Sequence, residues 1–324
     1  MKLPARSICC LTVTACLALP VAAQSYPAKP IRLVTEFIPG SGGDAFLRLV
    51  MGPMGASLGQ PIVIDNRPGA GGLVAAETVV QAAPDGYTLL GSSPNVHTIR
   101  PFLSRVNPID TLKDLTPITD LAEPVLAIVA HPSLPANNLR ELIDYARKNP
   151  GKVSYGTSGI GSSLHLDGEQ IQMLTGIKLV HVPYKALQQA LGDVVTGQLP
   201  ITFTLAGQAA GHVKAGKLKA LAVVGSRRFH AWPDVAPVAE AVPSFEPPAA
   251  WTALFGPAGL PAPITQRIYA DAMKALGDPK VKAKLTALGF DIHGQKPEQF
   301  TAHIRRQREL IGNIVKTAGI QPTE

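Results

Sequence analysis

Cysteine is scarce, and its position matters. The 324-residue chain holds three, Cys9, Cys10 and Cys16. All lie in a leader-like N-terminal stretch, so the rest of the chain has no disulfide, thiolate nucleophile or cysteine metal ligand. Its stability must come from a core. The eight histidines are isolated, and neither H-E-x-x-H nor H-x-x-E-H occurs, so no zinc-peptidase signature is present. G-x-S-x-G and S-x-x-K are also absent. Ser162 and His165 stand one helical turn apart with no evident orienting carboxylate, which gives no catalytic triad. These absences predict no catalytic residue and no metal or other cofactor. Beyond the leader no apolar run is long enough to span a membrane, and there is no internal repeat or low-complexity tract.

The leader itself has the order of a secretory signal. Lys2 and Arg6 precede an apolar run from Ser7 to Leu19, then Pro20-Val21-Ala22-Ala23. Val21 and Ala23 fit the small-residue positions before a cleavage point, so residues 1–23 read as a signal peptide cut after Ala23, and the mature protein as periplasmic. A rival cut, with Val13-Thr14-Ala15-Cys16 as a lipoprotein box, fits less well because Leu17, Ala18 and Leu19 continue the apolar stretch. About 300 residues remain, enough for two ordinary domains. Without Lys2 and Arg6 the 30 basic residues become 28 against 23 acidic, a balance of +5. The basic residues are scattered, which argues against nucleic acid as a partner.

Strand-like and helix-like segments alternate, predicting an α/β chain with largely parallel pairing. Residues 31–37, 61–65, 87–91, 125–130, 178–182, 199–205, 220–224 and 251–255 read as strands. Residues 45–58, 73–83, 139–148, 164–174 and 188–196 read as helices. Asp278-Pro279 and Pro297-Glu298 open two more near the end. The proline-rich piece from Pro233 to Pro248 reads as a linker.

Three times a strand runs through a Gly/Ser loop into a helix: at Pro39-Gly40-Ser41-Gly42-Gly43-Asp44, at Asn66-Arg67-Pro68-Gly69-Ala70-Gly71-Gly72, and at Gly156-Thr157-Ser158-Gly159-Ile160-Gly161-Ser162-Ser163. Helix N-termini carry unpaired N–H groups and partial positive charge, so such junctions can hold carboxylate or phosphate oxygens without a charged side chain. A single loop of this kind can be a mere tight turn, but three with interleaved hydroxyls point to an anion site. The first loop also satisfies G-x-G-x-x-G/A with Asp65 ending the next strand, the dinucleotide fingerprint. Asp44 beside a pyrophosphate, Pro39 in the turn and export from the cell all weigh against a nucleotide-dependent enzyme.

Taken together, the first two loops, Pro84-Asp85-Gly86-Tyr87-Thr88-Leu89-Leu90, Tyr155-Gly156-Thr157-Ser158-Gly159, Val182-Pro183-Tyr184-Lys185, Ala215-Gly216-Lys217-Leu218-Lys219-Ala220-Leu221-Ala222-Val223 and Phe255-Gly256-Pro257-Ala258-Gly259 resemble the Bug family. These are the substrate-binding proteins of tripartite tricarboxylate transporters. The resemblance covers essentially the whole mature chain. It implies a type II periplasmic-binding-protein-like α/β fold, with two lobes closing over a ligand cleft. Residues 24–124 and 246–324 would form the first lobe and residues 125–245 the second. It further implies capture of a small organic acid by backbone N–H groups and hydroxyls of Pro39, Gly40, Ser41, Gly42, Gly43, Asp44, Gly69, Ala70, Gly71, Gly72, Ser92, Ser93, Thr157, Ser158 and Thr204. The protein would act as a monomer serving a membrane permease, or alternatively presenting its ligand to a membrane sensor. Departures from the family pattern bear on the ligand. Gly43 removes a hydroxyl and opens space, Pro200 and Thr204 stand at often acidic positions, and Arg100 replaces a usual asparagine. A less acidic pocket favours a dicarboxylate or aromatic carboxylate over an amino acid.

Overall fold

The computed structural model describes residues 26–225 and 227–322; the leader and its cleavage point lie outside them. The chain first lays down β1 (Ile31–Thr35), α1 (Gly42–Leu58), β2 (Ile62–Asn66), α2 (Leu73–Val80), β3 (Thr88–Ser92), two short helices α3 (Arg100–Leu103) and α4 (Thr111–Asp114), and β4 (Leu115–Pro124). It then crosses to β5 (Leu126–Ala130), α5 (Leu139–Lys148), β6 (Ser154–Thr157), α6 (Ser163–Thr175), β7 (Val180–Pro183), α7 (Leu187–Val195), β8 (Ile201–Leu205), α8 (Ala206–Lys214) and β9 (Lys219–Val224). It returns through α9 (Val238–Ala241) to β10 (Thr252–Pro257), α10 (Ala262–Gly277), α11 (Pro279–Ala287), β11 (Phe290–Ile292) and α12 (Pro297–Ala318).

Two mixed sheets result, six-stranded β11-β4-β10-β3-β1-β2 and five-stranded β7-β6-β8-β5-β9. The expectation of largely parallel pairing is corrected here. β1 runs parallel to β2 and β3, and β6 to β7 and β8, but β10 is antiparallel to β3 and β4, β11 to β4, and β5 to β8 and β9. The reason is that β10 is buried along its whole length. A strand covered on both faces is a continuous apolar run whichever way it points.

Helix starts follow their caps. Asn138 accepts the Glu141 N–H at the head of α5, and Asp278 accepts those of Lys280 and Val281 ahead of α11, with Pro279 at the first position. The supposed linker 233–248 is instead packed. Val238, Val242 and Phe245 join the core of the second sheet with Phe203 and Leu142, and Val223 bridges to Pro237. Its prolines break regular structure without exposing the chain.

The two halves meet where the chain crosses between them and along one helix pair. Val125, between β4 and β5, donates its N–H to Gly289 O at 2.7 Å and accepts the Ala206 N–H at 2.8 Å, so one residue is bonded to both halves. Gly207 lies against Leu288, where a Cβ would stand 2.5 Å from the carbonyl oxygen. Leu166 of α6 packs with Ile311, Ile314 and Val315 of α12. Among the described residues no helix is long and apolar enough to cross a membrane.

Candidate functional site

The first glycine loop is tied down by the carboxylate that ends it. Asp44 is buried and accepts the Gly40 N–H at 2.9 Å, the Asn66 amide at 2.9 Å and Arg48 Nε at 2.9 Å. Burial pushes this carboxyl up, but Arg48, Gly40 and Asn66 together outweigh that and hold it at about 2. Ser41 caps α1 by accepting the Asp44 N–H. Asp44 therefore braces the loop and also ties it, through Asn66, to the end of β2. The space expected at Gly43 is filled: the Phe37 ring lies where a Cβ would sit, 2.5 to 2.7 Å from that position. On the neighbouring Gly42 the Leu205 side chain approaches from the second half, 3.9 Å from a notional Cβ.

The second loop holds four successive residues at positive φ, Gly69 (140°), Ala70 (45°), Gly71 (61°) and Gly72 (96°). Ala70 adopts a conformation that costs a non-glycine residue roughly 1–2 kcal/mol. Arg100 Nη1 donates to Ala70 O at 3.1 Å, and its Nη2 to Val106 O at 3.1 Å, clamping the turn. Next to it, at the end of β3, Glu36 does what the hydroxyls were expected to leave for a ligand. Its Oε1 accepts the Ser93 N–H at 2.6 Å and the Ser92 hydroxyl at 3.2 Å, and Ser92 also meets His97 Nε2 at 3.0 Å. The other carboxylate oxygen, Oε2, is buried without a partner among the described residues. Burial pushes Glu36 up to about 6 against the pull of these donors. Burial also pushes His97, stacked on Phe255 at 4.0 Å, down to about 3, so it is neutral.

In the third loop Thr157 is buried. Its hydroxyl lies 2.6 Å from His181 Nε2 and accepts the Gly159 N–H at 3.2 Å. Ser162 caps α6 by accepting the His165 N–H and donates its hydroxyl to Gly159 O at 2.8 Å. An acid does stand near His165, contrary to expectation: Glu169 Oε1 is 3.7 Å from its Nε2. His165 Nδ1 accepts the Gly161 N–H at 3.1 Å, and its ring stacks on His181 at 4.0 Å. Burial lowers both histidines to about 4, which keeps them neutral. In this loop Ser158 and Ile160 are exposed.

Between the halves lies a cavity of about 360 Å³. From the first half it is walled by Gly71, Asn95, Ile99, Arg100, Leu103 and Ser104, and from the second by Ser158, Ile160, Gly161 and Ser162. Of the residues singled out in the sequence, Gly71 and Ser158 line it. Pro39, Gly40, Ser41, Gly42, Gly43 and Asp44 do not line it, nor do Gly69, Ala70 and Gly72, which flank Gly71 in the second loop. Ser92, Ser93 and Thr157 are engaged behind it. Thr204 does not line it: the residue is fully buried in β8 beside Ala127, its hydroxyl without a partner among the described residues. Glu36, Ile99 and Leu103 were missed. The only signal for the latter two was the spacing of Val96, Ile99 and Leu103 on one side of a helix-like turn. Among the described residues no group of three or more His, Cys, Asp or Glu is placed to hold a metal ion.

Comparison with known proteins places the chain among relatives of the same family and fold. The family profile described as "Tripartite tricarboxylate transporter family receptor" matches residues 46–320. A UPF0065 protein of Bordetella pertussis is 35% identical over 302 residues, 93% of each chain. The solved structure of Rpa4515 from R. palustris with adipate superposes with a TM-score of 0.80 at 30% identity, covering 92% of this chain and 99% of that one. MatC from Rhodopseudomonas palustris, with bound malate, gives 0.75 at 30% identity, over 90% and 100%.

Proposed function

The chain belongs to the family of tripartite tricarboxylate transporter receptors, and from that premise we propose that it captures a small carboxylate between its lobes and hands it to a membrane permease. The observation that carries this is a cavity walled by loops of both halves, with Gly71 on one side and the exposed Ser158 on the other. Relatives of known structure hold adipate and malate, which supports an organic acid as the ligand.

In this reading the ligand carboxylate accepts hydrogen bonds from the Gly71 turn, Asn95, Arg100 and Ser158. The remaining glycine-loop residues fix the shape of the two walls. Residues 24–124 and 246–324 form one lobe and 125–245 the other; the membership of β1–β4, β10 and β11 in one sheet and β5–β9 in the other supports that division. Val125 is one of the hinge residues. The protein is exported to the periplasm with residues 1–23 removed, works as a monomer and performs no chemistry on its ligand. A ligand buried between two surfaces gains contacts to both only when they are together, so it shifts the lobes toward the shut form by its differential affinity. The test is compaction in X-ray scattering on addition of the acid, without turnover of it.

A further inference from the structure

Resting on that reading, we propose that the acid held here is a monocarboxylate with an apolar body, and that Ile99, Leu103 and Ile160 select it over dicarboxylates. The cavity lining combines Ile99, Leu103 and Ile160 with Asn95, Arg100, Ser104, Ser158 and Ser162. Arg100 is the one charged side chain lining it, and it stands with Asn95 and Ser158 beside the Gly71 turn. Ile99 and Leu103 come from the segment that leads away from Arg100. Ile160 lines the cavity from the third loop and is 58% exposed.

A diacid needs a second pole for its other carboxylate, and the loops offer a natural place for one at the N-terminus of α1. That place does not line the cavity, and apolar groups stand beside it. The Phe37 ring occupies the space over Gly43, and Leu205 reaches over Gly42 from the other lobe. Behind the Gly71 end stands an acid rather than a base: Glu36 lies under Gly72, its Cδ 3.5 Å from a notional Cβ there, and its carboxylate holds Ser92 and Ser93. A second anionic group therefore finds no second cationic side chain in the lining, and a charge without such a partner is costly as it leaves water. An alkyl or aryl body instead gains contact with Ile99, Leu103 and Ile160 as it leaves water. The volume suits an acid of this kind, being within the range of small-molecule sites.

Hexanoate and adipate share a six-carbon chain and differ by one carboxylate, so they isolate the question. Titration calorimetry of the mature protein at pH 7.5 should give hexanoate a Kd at least about tenfold below that of adipate. Ile160→Ser, at an exposed position where folding is not at risk, should weaken hexanoate about five- to tenfold and leave adipate within a factor of two. Equal or tighter binding of adipate overturns the inference while leaving carboxylate capture intact. Hexanoate affinity unmoved by Ile160→Ser overturns the assignment of the wall. If neither acid binds, nor benzoate as a second apolar monocarboxylate, this inference and the carboxylate reading beneath it both fall.

Discussion

Gly161→Ala should damage ligand binding by opposing lobe closure. Gly161 sits in the third loop at φ +77°, and a Cβ added there would collide with Leu103 Cδ1 of the opposite lobe. Two costs must be separated. Placing alanine in a left-handed conformation costs roughly 1–2 kcal/mol, and does so whether the lobes are open or shut. The collision with Leu103 exists only when they are together. Overpacking of this sort costs about 1–3 kcal/mol, because the leucine tip can yield in part. Only this second cost enters the affinity, so Kd should rise by about 5- to 150-fold. A double-mutant cycle identifies its origin. In a Leu103→Ala background, which removes the obstructing methyl, Gly161→Ala should leave Kd unchanged within about a factor of two, whatever Leu103→Ala does by itself. Calorimetry measures the four affinities, and thermal melts of the free proteins report the conformational cost separately. Full affinity in Gly161→Ala would refute the closure argument. An undiminished penalty in the Leu103→Ala background would place the damage in the loop rather than across the cleft.

Glu36→Gln keeps an acceptor for the Ser93 N–H but cannot ionise. The folded-state pKa of Glu36, about 6, lies above its ordinary 4.5, so the residue favours the fold below about pH 4.5 and loses that contribution as pH rises through about 6. Thermal melts should find the variant more stable than the parent by up to about 2 kcal/mol at pH 7.5 and no more stable at pH 4; a gain independent of pH would contradict the burial argument. Asp44→Ala strands the Gly40 N–H and the Asn66 amide and should cost about 3 kcal/mol near neutral pH. Because Asp44 is held at about 2, its contribution is present above about pH 3.8 and is lost as pH falls through about 2. Denaturant melts that show the deficit narrowing toward pH 2 would bear this out, and a constant deficit would not.

Much of the architecture could be read from local chemistry. α5 occupies 139–148 as its cap and amphipathic spacing require, and the prolines at 279 and 297 open α11 and α12. Strand direction could not be read in this way, since β10 reaches the first sheet only after the chain has built the second. α8 went unread because Ala206-Gly207-Gln208-Ala209-Ala210-Gly211 carries little apolar periodicity; its position is set by the close approach of Gly207 to Leu288. At the cleft, the glycine loops were visible as loops, but not which of their groups were already engaged. That depends on partners distant in sequence: Glu36 for Ser92 and Ser93, His181 for Thr157, and Asn66 for Asp44. Gly43 illustrates the difficulty most plainly, since a missing side chain suggested open space and Phe37 fills it.

Small-angle X-ray scattering of the mature protein, free and saturated with a stabilising acid, tests lobe closure most directly. In the structure Leu103 lies against Gly161 and Leu205 approaches Gly42 across the cleft, contacts of the kind that a shut arrangement requires. The account predicts that the free protein scatters with a larger radius of gyration than this structure and that the liganded protein contracts to match it. An unchanged radius of gyration at saturating ligand would contradict capture by closure.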